Sequence, residues 1–275
     1  MRINTNVSAL SAARNLTNTQ NAVAASTQKL SSGFRITRAA DDAAGLGTAN
    51  VLRSDIRAYN QATRNAEQAN SVYSIAEGAA SSVQTMLERM KELATQAASD
   101  TVDSNGRGRI NDEFTQLAAE IDRTVSGTKF QGGALLDGTY SATFLVGASG
   151  DYTGNDTLAV DGSKMDLSTT TLGVGSSTVD TLSNAQSALT ALDTAIGKVN
   201  SALGYIGASQ SRMENAVANL KTTVQNYSAA ESTIRDVDMA DEMVTFSKNN
   251  ILAQAGTAIL AQANQAGQGI LKLLG

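Results

Sequence analysis

The chain contains no Cys, His, Pro or Trp, and aromatic residues make up only 4% of it. Without Cys, disulfides and thiolate sites are excluded. Without His, the ordinary zinc sites and histidine-dependent catalytic triads are excluded as well. The absence of Pro favours long, uninterrupted helices. Most of the usual catalytic equipment is missing, so we predict a protein that is not an enzyme, with no cofactor and no catalytic or metal-binding residue.

Acidic residues are also missing from both ends of the chain. None precedes Asp41 or follows Glu242, so residues 1–38 carry a net charge of +5 and residues 248–275 a net charge of +2. The basic residues are spread singly among amides, hydroxyls and Ala, which does not indicate a nucleic-acid partner. No apolar run approaches the ~20 residues of a membrane span, and the first residues lack the apolar region of a secretory signal. Taken alone, these features predict a cytosolic protein with no membrane partner.

The most regular pattern in the chain runs from residue 182 to residue 234. Its apolar positions alternate steps of three and four residues, which indicates a helix packed along a narrow seam about 80 Å long. Only Gln210 and Glu231 interrupt the seam, and we regard them as candidates for setting its register or facing a neighbouring chain. A matching pattern over 46–97 and a third helix near 110–125 predict a rod-like antiparallel bundle.

The remaining segments differ in character from the bundle. Residues 3–30 and 240–274 show thin apolar stripes on amide-rich helices, which would be marginal alone in water. Strand propensity at 140–146 and 157–160 predicts a small β-hairpin. A Ser/Thr-rich stretch near 168–181 is open to two interpretations, a flexible modifiable surface or an ordinary loop, and the loop is favoured. The predicted fold class is mainly α, with a bundle, a small β-hairpin region and two paired terminal helices.

Several segments of the chain match one protein family. They include 3–10 (INTNVSAL), 29–36 (KLSSGFRI), 39–46 (AADDAAGL), 230–240 (AESTIRDVDMA) and 260–265 (LAQANQ). Through these segments the chain resembles bacterial flagellin over nearly its whole length. Gln131 stands where the family usually has Asn, and only about forty residues near 139–180 lie outside the resemblance. The chain therefore resembles a short form that lacks large outer domains.

The resemblance implies a structural subunit that self-assembles into the helical flagellar filament for swimming motility. Residues 1–43 and 236–275 would form an inner-tube domain of paired terminal helices with a connecting spoke. Residues 44–235 would form the bundle, with the β-hairpin region at about 128–180. Subunits would be exported unfolded by the flagellar type III apparatus without a signal peptide. This reverses the compartment predicted from composition and places the protein outside the cell.

The resemblance also implies partners and site residues. The partners would be further copies of the chain, a flagellar export chaperone at the C-terminal region, filament cap and hook-junction proteins, and innate immune receptors in some members. Receptor-like positions would be Arg89, Leu93 and Glu113 for a cell-surface receptor, and Leu271, Leu273 and Leu274 for a cytosolic sensor; packing between subunits is the simpler role. The residues expected to carry polymerisation are Ile3, Val7, Leu10, Leu16, Val23, Leu30, Val244, Ile251, Leu252, Ile259, Leu260, Ile270, Leu273 and Leu274.

Two alternatives stay open at this point. A hook–filament junction protein would share the helical ends but would not support repetitive growth on seeds. A secreted adhesin would instead display the 139–180 region and bind a host surface as a monomer.

Overall fold

A computed structural model describes residues 6–148, 154 and 156–274, with side chains up to residue 265. The chain divides into two compact units, which are described separately. The terminal unit comprises the described residues up to Ile56 and from Asn226, and the central unit comprises Arg57–Gln225. The helices are α1 (Val7–Ser32), α2 (Ala43–Ala97), α3 (Ser104–Gly127), α4 (Thr169–Leu172), α5 (Leu182–Arg235) and α6 (Met239–Leu274), and the strands are β1 (Lys129–Phe130), β2 (Gly133–Ala134), β3 (Ser141–Leu145) and β4 (Thr157–Asp161).

Within the central unit, α2 and α5 run antiparallel. Lys91 Nζ lies 2.6 Å from Asp193 Oδ1, and Lys221 Nζ lies 3.2 Å from Glu67 Oε1, so the partner number falls as the α2 number rises. The helix α3 turns back along α2 and completes the bundle. Its core is made of large side chains that are less than 2% exposed, among them Tyr73, Leu87, Met90, Phe114, Ile121, Leu192 and Ile206.

The predicted heptad of α5 has two apolar positions in each repeat. The residues at the first position are buried as predicted, whereas at the second position the buried seam is one residue wider. Every seventh residue from Ala185 to Leu220 is buried. At the second position a small residue is buried and the larger residue after it only half-buried, as in Ala195 followed by Ile196. The pair Ser209 and Gln210 follows this rule, and Gln210 Nε2 donates to Glu77 Oε2 on α2 at 2.8 Å. The small residues let α5 approach its neighbours closely while the larger ones cover the flanks of the seam.

The first hairpin, β1–β2, has a two-residue turn at Gln131 and Gly132. Both residues have positive φ, 49° and 89° respectively, which is the pattern of a type I′ turn. Gly adopts such angles freely, whereas Gln lacks the short side chain that lets Asn adopt them. The departure from the family's usual Asn at position 131 therefore falls on a residue with a left-handed backbone.

The second hairpin pairs β3 with β4 in an antiparallel ladder that runs from Ser141↔Asp161 to Leu145↔Thr157. The Asp161 N–H donates to the Tyr205 hydroxyl at 3.0 Å, which attaches this ladder to α5. Both strands had been predicted within one residue of their observed ends. The Gly162–Met165 segment that follows is a 3-10 turn.

The Ser/Thr-rich stretch after the hairpin is built into the central unit. Thr169 is 4% exposed, and its N–H and hydroxyl donate to the Asp122 carboxylate at 3.1 and 2.8 Å. Leu172, Val174 and Val179 are buried in the bundle core. The alternative of a flexible surface was therefore wrong for this stretch, because apolar residues spaced between the hydroxyls attach it to α3 and α5.

In the terminal unit, α1 ends where the sequence predicted a break. Gly33 has φ 74° and its N–H donates to Lys29 O at 2.8 Å, which caps the helix. The predicted domain borders at 43/44 and 235/236 coincide with the start of α2 and the end of α5. The compact units change instead at Ile56 and Asn226. The prediction of a mainly α fold with a bundle, a small hairpin region and paired terminal helices is confirmed.

Candidate functional site

The two terminal helices pair with each other in antiparallel register. Asn6 Nδ2 donates to Ala263 O at 2.9 Å near one end of the pair. Near the other end, Lys29 Nζ lies 3.7 Å from Glu242 Oε2. Asn6 also caps α1, because its side chain accepts from the Ala9 N–H at 3.0 Å. Each helix thus covers one face of the other over most of its described length.

Most side chains in the interface between α1 and α6 are small or polar, with a few large apolar residues among them. A methyl group placed on Gly256 would lie 3.7 Å from Leu16 Cβ, so the two backbones approach closely there. Ser26 is the most deeply buried residue of α1, at 4% exposed. The α6 residues that are half-buried follow a heptad: Glu242, Phe246, Asn249, Ala253, Gly256, Leu260 and Ala263.

Outside the contact with α1, the helix α6 carries large aliphatic side chains that are exposed. Val244 and Ile251 are 70% and 66% exposed, and Leu252 and Ile259 are 47% and 57% exposed. Seven residues separate Val244 from Ile251 and Leu252 from Ile259, so the four side chains form a strip along one side of the helix. At 100° per residue Val244 and Ile251 face away from the positions that contact α1, whereas Leu252 and Ile259 lie on the flank beside those positions. We call these four residues the α6 outer strip.

The predicted polymerisation residues divide between these two faces. Val7 and Leu10 on α1, and the four residues of the α6 outer strip, are exposed. Leu16, Val23, Leu30 and Leu260 are half-buried between α1 and α6. Ile3, and the side chains of Ile270, Leu273 and Leu274, lie outside the described residues.

The sequence pattern missed several residues of the α1–α6 interface, notably Ser26, Phe246 and Asn249. The apolar positions of α6 do not form a single stripe. Val244 and Ile259 lie on the outer strip, whereas Ala263 contacts α1. The positions that contact α1 follow a heptad from Glu242, which a pattern limited to apolar residues does not detect.

The receptor-like positions on α2 and α3 differ in accessibility. Arg89 Nη2 lies 2.8 Å from Glu113 Oε1 and Nη1 lies 2.9 Å from Glu92 Oε2. These hydrogen bonds, to Glu92 and then to Glu113, raise the pKa of the exposed Arg89 guanidinium. Leu93 is only 2% exposed and packs in the core of the central unit. The side chain of Leu271 lies outside the described residues.

Other kinds of site find little support in the described part of the chain. No three side chains of metal-ligand type converge there. None of the helices that the structure describes combines the length and apolar composition needed to cross a bilayer. A cavity of about 240 Å³ lies between α2 and the end of the second hairpin, lined by Gln61, Asn65 and Leu145 among others. Asn65 Nδ2 already donates to Leu145 O there, at 3.1 Å.

Comparison with known proteins finds two family models that match this chain. Residues 3–141 match the bacterial flagellin N-terminal helical region, and residues 189–274 match the bacterial flagellin C-terminal helical region. The chain belongs to the flagellin family. A flagellin of Halalkalibacterium halodurans is 42% identical over 275 residues, which cover 100% of both chains. The flagellar filament 33 kDa core protein of Treponema phagedenis is 41% identical, again with 100% of both chains covered.

A solved structure agrees with this assignment. The crystal structure of Bacillus cereus flagellin superposes with a TM-score of 0.51 and 28% identity, covering 61% of this chain and 94% of that one. Flagellin is a structural protein family, in keeping with the prediction of a protein that is not an enzyme. Full-length relatives named as flagellins and filament core proteins favour a filament subunit over a hook–filament junction protein or an adhesin.

Proposed function

We propose that this chain is a structural subunit of the bacterial flagellar filament and that it polymerises through the terminal helices. Membership of the flagellin family supports the filament and its place outside the cell. The observation that carries the polymerisation surface is the α6 outer strip. Its four large aliphatic side chains lie 47–70% exposed on a helix whose other face already packs against α1.

The occupant of the α6 outer strip is a second copy of this chain. Monomeric proteins seldom expose such a line of large aliphatic residues without a partner. The α1 face turned away from α6 is mainly polar, with Arg14, Thr17 and Asn21 all exposed. Two unlike faces on one helix pair favour head-to-tail contacts, which generate an open helix when the rotation between copies does not close.

Folding of the terminal helices is coupled to this assembly. The α1–α6 interface consists mostly of small and polar residues, so it buries little apolar area to offset the entropy of ordering two long helices. Neighbouring copies supply the missing contacts, and mass action then stabilises the helical state. In the free subunit these helices would be largely disordered. In the filament, residues 1–43 and 236–275 would form the inner tube and residues 44–235 the surrounding bundle.

The family resemblance supports further partners that complete this proposal. The subunit would be exported by the flagellar type III apparatus without a signal peptide, with an export chaperone at its C-terminal region. It would then meet hook-junction proteins at the base and cap proteins at the growing tip. Innate immune receptors would contact the surface around Arg89 and Glu113, where Leu93 contributes packing, and the terminal leucines Leu271, Leu273 and Leu274.

Seeded growth tests the proposed polymerisation surface. We expect the full chain to elongate filament seeds, and a chain lacking residues 251–275 to keep a folded central unit but leave no pelletable filaments after sedimentation. Thermal unfolding of the central unit, followed by circular dichroism, is the control for folding. Electron micrographs of filaments from the truncated chain would contradict the proposal. Failure of the full chain to extend any seed would favour the junction protein or the adhesin instead.

A further inference from the structure

The two chain segments that connect the terminal helices to α2 and α5 run side by side. The Arg35 N–H donates to Arg235 O at 2.6 Å, and the Val237 N–H donates to Gly33 O at 3.0 Å. These two bonds flank an isolated antiparallel bridge between Phe34 and Asp236. The bridge therefore has the geometry of a non-hydrogen-bonded pair, in which the two Cα atoms lie about 4.5 Å apart.

Side chains tie the same two segments together. The Arg235 guanidinium carbon lies 4.0 Å from the centre of the Phe34 ring. The Arg235 side chain is only 14% exposed, and its Nη1 lies 3.6 Å from Glu231 Oε1. Arg235 Nε and Nη1 make no hydrogen bond to any described residue, so the aromatic face and the Glu231 charge are the main partners of these nitrogens. Glu231 Oε1 also lies 3.2 Å from Arg53 Nη2.

We propose that Gly33–Arg35 and Arg235–Val237 form a clasp that sets the axial register of α1 against α6. Phe34 and Arg235 are its positioning residues. The clasp lies next to the helices it would align, because α1 ends at Ser32 and α6 begins at Met239. The register that starts at the Phe34↔Asp236 bridge continues through the Lys29–Glu242 ion pair to the Asn6–Ala263 hydrogen bond.

The α1–α6 interface needs an external register signal because its own side chains specify register weakly. Coiled-coil register is normally set by large apolar knobs or by a buried polar residue with one complementary partner. Here many interface positions are Ala, Gly, Ser, Thr or Asn, which would fit almost equally well after a slip of seven residues. The clasp supplies distinct pairs at one end instead. This inference rests on the proposed function only in treating the paired helices as the unit that enters the filament.

Disulfide trapping tests the clasp without any filament, because the bond captures the register that the largely disordered terminal helices adopt whenever they pair in the free subunit. The chain has no Cys, so the combined substitutions Leu16→Cys and Gly256→Cys report only on this pair. Their Cβ atoms would lie 3.7 Å apart in the observed register, within the range of a disulfide. The combination Leu16→Cys with Ala263→Cys reports on a register that has slipped by seven residues.

We expect Arg235→Ala to slow closure of the in-register pair about tenfold relative to the slipped pair, a factor between those of an exposed and a fully desolvated cation–π contact. Phe34→Leu, which keeps the apolar bulk and removes the ring, should act in the same direction. Arg38→Ala, at an exposed arginine of the same connection, is the matched control and should leave the ratio unchanged. Equal ratios in the parent chain, Arg235→Ala and Phe34→Leu would overturn the clasp.

Rescue by a covalent bond provides the second readout. Phe34→Cys with Asp236→Cys, placed in the Arg235→Ala background, would replace the clasp by a disulfide, because a non-hydrogen-bonded pair suits disulfide geometry. Seeded elongation should slow in Arg235→Ala, recover when the disulfide forms and slow again on reduction. Equal rates of elongation in Arg235→Ala, in the disulfide-bonded variant and in the reduced variant would refute the clasp. Absence of growth in the parent chain would refute the proposed function.

Discussion

The α6 outer strip makes a quantitative prediction at Ile251. Complete burial of an Ile side chain stabilises by about 1.5–3 kcal/mol relative to full exposure. Because Ile251 is 66% exposed in the single chain, its burial by a neighbouring copy would contribute roughly 1–2 kcal/mol. Ile251→Ala removes most of this contact. We expect the critical concentration for filament growth to rise by about 5- to 30-fold.

The assay is sedimentation of seeded filaments over a series of subunit concentrations, with the unpolymerised protein measured in the supernatant. Gln254→Ala is the matched control, because Gln254 is exposed on the same helix outside the strip. Ile251→Asp should abolish growth, since a buried carboxylate adds several kcal/mol of desolvation. Thermal unfolding of the central unit should be unchanged in all three variants. A critical concentration for Ile251→Ala within about twofold of the parent would refute burial of this face.

Three further predictions concern the central unit and are tested by its unfolding. Gln131→Asn should stabilise it by about 0.5–1 kcal/mol in urea titrations, because Asn tolerates the left-handed turn position better than Gln. Leu192→Ala should destabilise it by about 2–5 kcal/mol, since a fully buried side chain is removed. Hydrogen bonds from Asn184 and then Thr178 lower the pKa of Asp180. The stabilisation from this lowered pKa is fully present above pH 3.8, the ordinary pKa of Asp, and is lost as pH falls through the lowered pKa of the folded state. Asp180→Asn should therefore make the melting temperature decline less steeply in acid.

The long helices were predictable because their signal is local and repetitive. The heptad from Leu182 ends at Ile234, one residue before α5 ends, and Gly33 supplied the break that terminates α1. Strands β3 and β4 were equally readable from their β-branched and aromatic residues. Such patterns depend only on side chains a few positions apart, so they can be recognised without knowing the tertiary contacts.

The elements that escaped prediction are those whose stability comes from distant residues. Strands β1 and β2 have two residues each, too few for any periodicity. The turn of α4 is held by Asp122 on another helix, which no reading of residues 168–181 could reveal. The same holds for Phe34 and Arg235, which lie far apart in sequence. The four residues of the α6 outer strip are all among those expected from the sequence to carry polymerisation, but the sequence did not separate them from the residues that contact α1.

The open end of the β3–β4 ladder is a suitable place to insert a foreign peptide into this chain. Leu145 and Thr157 are paired, so the two ends of any segment grafted between them would already be held side by side. The entropic penalty for lengthening such a graft grows slowly, by about 0.6 kcal/mol for each doubling of its length. An antigen inserted there would be repeated once per subunit along the polymer, which is the dense, regular spacing that multivalent binders exploit.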